Sequence, residues 1–164
     1  MTITRQEILS RLLYDEGTGQ FTRVVASGGW SIGQIAGSIN TNGHRQLNIG
    51  GKLIMAHRVA WFLVHGKWPA AEIDHINGVK DDNRISNLRE ATHSQNLQNL
   101  RKARADNKSA GLLGVYRAST KGSRWCAHIT INGKRKNLGS YGTKHEAHQA
   151  YLTAKRELHS YSTI

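Results

Sequence analysis

The chain has 164 residues, 38% apolar and 21% charged, which suits a folded protein rather than a disordered one and leaves room for one ordinary domain or two small ones. Its net charge of +12 points to a polyanionic partner, because lysine and arginine neutralise phosphates and release counterions. No apolar run approaches the roughly 20 residues of a bilayer span, no secretory layout opens the chain, and one cysteine, Cys126, excludes an internal disulfide or a thiolate zinc cluster.

In chain order, Ile8, Leu9, Leu12 and Leu13 stand at helical spacing behind Thr4 and predict a helix over 5–13. Short β-type runs follow at 21–25, 38–39, 45–49 and 52–54, and a small antiparallel meander is expected. Asn42-Gly43 and Gly50-Gly51 suit type I′ hairpin turns, which need positive φ at both central residues. Residues 55–65 switch to helical periodicity around Trp61 until Gly66 and Pro69. His57 lies on that helix and reads as a packing residue beneath whatever follows. Then come a brief strand that runs into a polar loop over 72–78, a second strand over 87–92 and a helix over about 93–103.

Residues 101–110 mix positive charge with small polar groups and read as a linker. Beyond it, 114–118, 124–131 and 134–139 are predicted strands, the last two joined by Asn132-Gly133, and a helix over 144–159 closes the chain. Charge divides unevenly. Residues 1–100 hold ten Lys and Arg against eight Asp and Glu, whereas residues 101–164 hold thirteen against three, so the second part is the expected nucleic-acid anchor.

The stretch Ile73-Asp74-His75-Ile76-Asn77-Gly78, then Asp81-Asp82-Asn83-Arg84, Ser86-Asn87-Leu88-Arg89 and Gln95-Asn96-Leu97-Gln98-Asn99, gathers ligand and base chemistry. An adjacent Asp and His at a strand end can share one pocket, one as an anionic ligand and one as a proton acceptor. The pattern resembles the HNH (ββα-metal) endonucleases of bacteriophages, including homing ones, over about residues 10–100. That resemblance implies His75 as general base, Asn87 as the residue orienting it, and Asp74 and Asn96 as ligands of a divalent metal, Mg²⁺ or else Mn²⁺, with no structural zinc. His93, Arg84 and Arg89 are secondary candidates, and surface ion pairs compete with phosphate clamping for the two arginines.

The segments Gly114-Val115-Tyr116-Arg117, Arg124-Trp125-Cys126-Ala127-His128-Ile129 and Leu138-Gly139-Ser140-Tyr141 resemble the APETALA2/ethylene-response-factor DNA-binding domain, a three-stranded sheet backed by a helix. Alternation puts Trp125, Ala127, Ile129 and Ile131 on a core face with Ala147, Ala150, Tyr151 and Leu158. The opposite face carries Tyr116, His128, Thr130, Arg135 and Asn137 as readers, with Arg117, Lys121, Arg124, Lys134 and Lys136 toward phosphates.

Together these readings give an α+β chain: a meander and helix over 1–70, a ββα-metal motif over 71–100, a linker over 101–110 and a DNA-binding domain over 111–164. The expected activity is site-directed hydrolysis, including nicking, of double-stranded DNA with 5′-phosphate and 3′-hydroxyl products. The expected enzyme is a monomer or weak dimer in the cytoplasm of a phage-infected host cell. The rivals are a non-catalytic DNA-binding regulator and an RNA-directed protein.

Overall fold

The computed structural model describes residues 3–103, 107, 110–118 and 124–164. It is an α+β protein of small antiparallel sheets and short helices that divides into two compact units, Met1–Ala91 and Thr92–Ile164. Among the described residues no helix is long and apolar enough to cross a membrane.

In the first unit, α1 (Arg5–Leu9) starts in a capping box in which Thr4 and Glu7 satisfy each other's backbone N–H groups. It stops sooner than its spacing predicts. Leu12–Tyr14 is strand β1, paired with β2 (Phe21–Arg23), because extension buries Leu12, exposes Leu13 and stacks Tyr14 on Phe21 at 4.7 Å. The local period of two therefore overrides the helical one.

Strands β3 (Ser38–Ile39), β4 (Arg45–Ile49) and β5 (Lys52–Met55) form the expected meander. Gly50 and Gly51, at φ 59° and 82°, make the type I′ turn. The Asn42-Gly43 expectation needs correcting. Among the described residues only Asn132 has positive φ without being glycine, so at this hairpin Gly43 alone is left-handed, and its N–H closes a turn on the Asn40 carbonyl at 2.9 Å. The longer loop gives Asn40 Oδ1 room to accept from the backbone N–H groups of Asn42 and His44, both at 3.0 Å.

Helix α2 (Ala56–His65) buries Ala56, Val59, Ala60 and Leu63 as one stripe and ends at left-handed Gly66. That stripe packs in a single core with Ile8, Phe21, Leu47, Ile49, Ile73 and Leu88. Each fully buried side chain of this size stabilises by about 1.5–3 kcal/mol. The last two come from β6 (Glu72–His75) and β7 (Leu88–Ala91), an antiparallel pair in which Asp74 opposes Arg89 and His75 opposes Leu88.

The second unit opens with α3 (His93–Gln98), started by a Thr92/Gln95 capping box. It is shorter than the predicted 93–103 because its exit is captured by the C-terminal tail: Thr163 Oγ1 donates to Asn99 Oδ1 at 2.8 Å, and Tyr161 N–H donates to Gln98 Oε1. Strands β8 (Val115–Arg117), β9 (Trp125–Ile131) and β10 (Lys134–Tyr141) form a sheet in the order β10-β9-β8, with α4 (Lys144–Leu158) packed on it. Its core is Ala110, Val115, Ala127, Ile129, Ala147, Tyr151 and Ala154. Leu158 is exposed rather than packed, since the helix ends there and His159 Nε2 meets the Thr130 carbonyl instead. The inward position one turn earlier belongs to Lys155, fully buried, whose amine donates to the Leu100 carbonyl and lies 5.8 Å from the centre of the Tyr151 ring.

Candidate active site

The end of β6 carries Asp74 and His75, both buried at 5% exposure. Arg89, one strand across, donates through Nε to Asp74 Oδ2 at 2.8 Å and brings Nη2 to 2.7 Å of the same oxygen. This side chain, expected near a phosphate or in a surface pair, thus faces the predicted metal-binding acid.

The loop after His75 is held by its own side chains. Asn87 ends a 3₁₀ turn (Ile85–Asn87); its Oδ1 accepts from the Asn77 N–H at 2.9 Å and its Nδ2 donates to the Asp82 carbonyl at 2.8 Å. Both ends of this amide meet backbone, so Asn87 shapes the loop that follows His75. Asn77 Nδ2 donates to Asp82 Oδ2 at 2.6 Å, and Arg84 donates to both oxygens of Asp82, which together hold that carboxyl down at about 2. Arg84 therefore forms the ion pair that competed with phosphate clamping.

Asn83, 1% exposed, meets the His75 ring with Oδ1 at 3.5 Å from Nε2, and its Nδ2 donates to the Asp81 carbonyl at 3.0 Å. Burial lowers the His75 pKa, partly opposed by Asn83 and by the Asp74 charge, so the ring is neutral at pH 7 and has a lone pair to offer.

The N-terminal hairpin buttresses this loop. Tyr14 Oη donates to the Asn83 carbonyl at 2.8 Å, and burial pushes its own pKa up to about 12. Gly19, at φ 73°, lies so close that a Cβ there would sit 2.3 Å from the Arg84 nitrogen. On the other side, Arg45 grips Asp81 through two bonds of 2.7–2.8 Å, and Lys80 Nζ donates to the Asn42 carbonyl at 2.9 Å.

Those two ties bring in a residue that sequence reasoning missed. His44 stands in the β3–β4 loop, its ring 5.6 Å from His75 and 5.3 Å from His57. His57, on α2, meets His75 edge-on at 5.1 Å, so the residue read as packing beneath the motif is in ring contact with it. Burial depresses both, His44 to about 4 and His57 to about 3, with the neighbouring imidazole of His75 second in each case. The one signal in the sequence for His44 is an imidazole directly after an Asn-Gly turn.

Asn96 and His93 lie on α3, in the second unit, Asn96 half-buried and His93 exposed. On the β8–β10 sheet, Tyr116 and His128 meet edge-on at 5.2 Å, Arg135 lies over the Tyr116 ring at 4.7 Å, and Arg135 Nη2 is 3.0 Å from His128 Nδ1. Thr130, Lys134, Lys136 and Asn137 are exposed. Arg117 lies over Trp125, and Arg124 donates to Ser140. Lys121 falls outside the described residues.

Two antiparallel strands joined by a side-chain-braced loop, with Asp-His at the first strand's end, are followed in sequence by a short helix, an element order of ββα. Residues 55–98 match the model of a family described as HNH endonuclease, a stretch that runs from the last residue of β5 to the last of α3. That segment is thus an HNH endonuclease domain, of a kind that acts on DNA and generally depends on a divalent metal. No curated protein and no solved structure matches the chain.

Proposed function

We propose that the chain is a metal-dependent endonuclease that nicks duplex DNA at directed sites, leaving 5′-phosphate and 3′-hydroxyl ends. The observation that carries this reading is a buried His75 beside the carboxylate of Asp74 inside the HNH-matched segment. His75 takes a proton from the attacking water at a ring nitrogen, Asn83 steadies the ring through Oδ1, and Asn87 keeps the loop in the shape that presents both. Arg89 orients the Asp74 carboxylate.

Asp74 and Asn96 would hold the cation. An anionic and an amide oxygen suit a hard ion such as Mg²⁺ or Mn²⁺, which when bound supplies Lewis-acid stabilisation of the phosphate and the leaving oxygen. His93, the first residue of α3, would stand by as a secondary contact.

The second unit would anchor the enzyme on double-stranded DNA. Tyr116, His128, Thr130, Arg135 and Asn137 share the face away from α4, and Arg117, Arg124, Lys134 and Lys136 flank it, with Lys121 completing the basic set. The excess of basic residues over 101–164 supports this division of labour. One site per chain yields one nick per encounter.

The test is conversion of supercoiled plasmid to the relaxed form. Nicking is expected with Mg²⁺, none with chelator, and Asp74→Asn is expected to slow it on the order of 100-fold or more. Plasmid left intact by the wild type with Mg²⁺ and with Mn²⁺ refutes the reading and favours a DNA-binding regulator.

A further inference from the structure

Among the described residues, the first unit holds a constellation of which the nuclease reading uses only His75. His44, His57 and His75 each offer a ring nitrogen, and the three atoms lie within 4.8 Å of one another. They come from three separate elements: the β3–β4 loop, α2 and the end of β6. Two of these are locked onto the same loop, since Arg45–Asp81 and Lys80–Asn42 fasten the hairpin of His44 to the residues that follow His75.

A second observation points to a ligand. His57 is 8% exposed, and its Nδ1 is buried with no hydrogen-bond partner. An unsatisfied buried polar atom costs about 1–3 kcal/mol, and in a ring set edge-on to two other imidazoles no donor from those neighbours is needed if an electron-pair acceptor fills the gap between them.

The chemistry selects the acceptor. Three nitrogens without a carboxylate are a poor set for Mg²⁺, which keeps oxygen and water, and a good one for borderline transition metals. At metal–nitrogen distances of about 2.0–2.1 Å, tetrahedral ligation draws such nitrogens to about 3.3 Å apart, a closure of roughly 1.5 Å from the present limit that ring rotations can deliver. Three protein ligands also leave the fourth position to water or a phosphate oxygen. The lone cysteine ruled out a thiolate cluster, but an imidazole set has no need of one.

We propose that His44, His57 and His75 form a transition-metal site that takes Zn²⁺ in preference to Mg²⁺, and that its occupation silences the nuclease. This rests on the proposed role of His75: a nitrogen bonded to zinc cannot accept a proton from water. The site therefore shares one residue with the hydrolytic machinery and none of its oxygen ligands, so the two metals act in opposite directions.

The experiment uses the full chain, stripped with chelator and held in saturating Mg²⁺. Zn²⁺ is titrated by calorimetry, and Co²⁺ by its visible absorption. One ion per chain is expected, with the intense bands of tetrahedral Co²⁺, and nicking should fall in step with zinc occupancy. His44→Ala, checked for folding by circular dichroism, should weaken Zn²⁺ by more than the roughly 10- to 100-fold typical of losing a mere supporting contact. The zinc concentration that halves nicking should rise by the same factor, measured against that variant's own zinc-free rate. If His44→Ala does not fold, His44→Gln carries the same comparison.

Absence of the Co²⁺ bands, or equal zinc affinity in the variant, overturns the site. Nicking supported by Zn²⁺ without Mg²⁺ overturns the silencing, because the three histidines would then serve the working metal. Co²⁺ bound through the histidines, with no nicking under Mg²⁺ alone, sinks the nuclease reading and the silencing with it, while the metal site stands.

Discussion

In the unit built by Met1–Ala91, Asp74, His75, His57, Asn83 and Asn87 are withdrawn from water, whereas in Thr92–Ile164 the side chains of Thr130, Lys134, Arg135, Lys136 and Asn137 stand in it. Both regions are polar, yet the physics differs. Burial makes hydrogen bonds directional and holds imidazoles neutral, the condition of a proton acceptor. Exposure keeps cations charged and lets them meet phosphates through solvent, the condition of a docking surface. On the proposed function chemistry and affinity belong to different parts of one short chain, and substitutions should separate them.

The largest separation is expected from His75→Ala. Cleavage should fall by about 10²–10⁴-fold, the usual contribution of a positioned base, with DNA affinity retained. Single-turnover nicking and a binding isotherm on the same DNA check this. Equal losses in both would break the division between the units.

Next in size is the acid response of the buried imidazoles. His44 and His57 bind protons at about 4 and 3 when folded, against an ordinary value of 6.5. Between those limits the unfolded chain takes up protons that the folded chain refuses. Stability is therefore greatest above pH 6.5 and is lost as pH falls toward 4 and then 3. For the chelated protein the loss should reach about 3 kcal/mol, and His57→Gln should flatten the profile. Melting temperatures recorded from pH 7 to 4 test this, and an unchanged wild-type profile refutes it.

Gly19→Ala should cost about 2–3 kcal/mol, combining a left-handed backbone with a collision against the Arg84 nitrogen. Hydrogen exchange should show β1, β2 and the Asn83 loop opening while β8–β10 stays protected. The smallest effect belongs to Arg135→Ala: about 1–3 kcal/mol of DNA affinity and a salt slope reduced by about one, at an unchanged cleavage rate on saturating DNA. A slower rate at saturation would place Arg135 in the chemistry instead.

Much of this was legible along the chain. The Asp74-His75 pair, the loop asparagines and the alternation of β9 all rest on neighbours within a few residues, where period and turn chemistry speak directly. What escaped depends on distant segments. Leu12–Tyr14 reads as helix until β2 is there to pair with it, and α3 looks longer until the tail reaches Asn99. His44 and His57 become site neighbours only when a hairpin and a helix fold back onto β6. Lys155 occupies a core position because the Leu100 carbonyl is there to receive its amine, which no periodicity announces. Asn87 was legible as a loop former, but its partners on the Asn77 and Asp82 backbone were not.

The buttress of Tyr14 and Gly19 against the Asn83–Arg84 backbone bears on transplantation. The family-matched stretch begins at residue 55, yet the core beneath it takes Ile8, Phe21, Leu47 and Ile49 from upstream, and the loop after His75 leans on the first hairpin. A graft of residues 55–98 alone into a foreign scaffold would carry the right letters without their footing. The smallest portable cassette starts near Ile3, and an engineer who trims to the recognisable motif should recover an unfolded peptide.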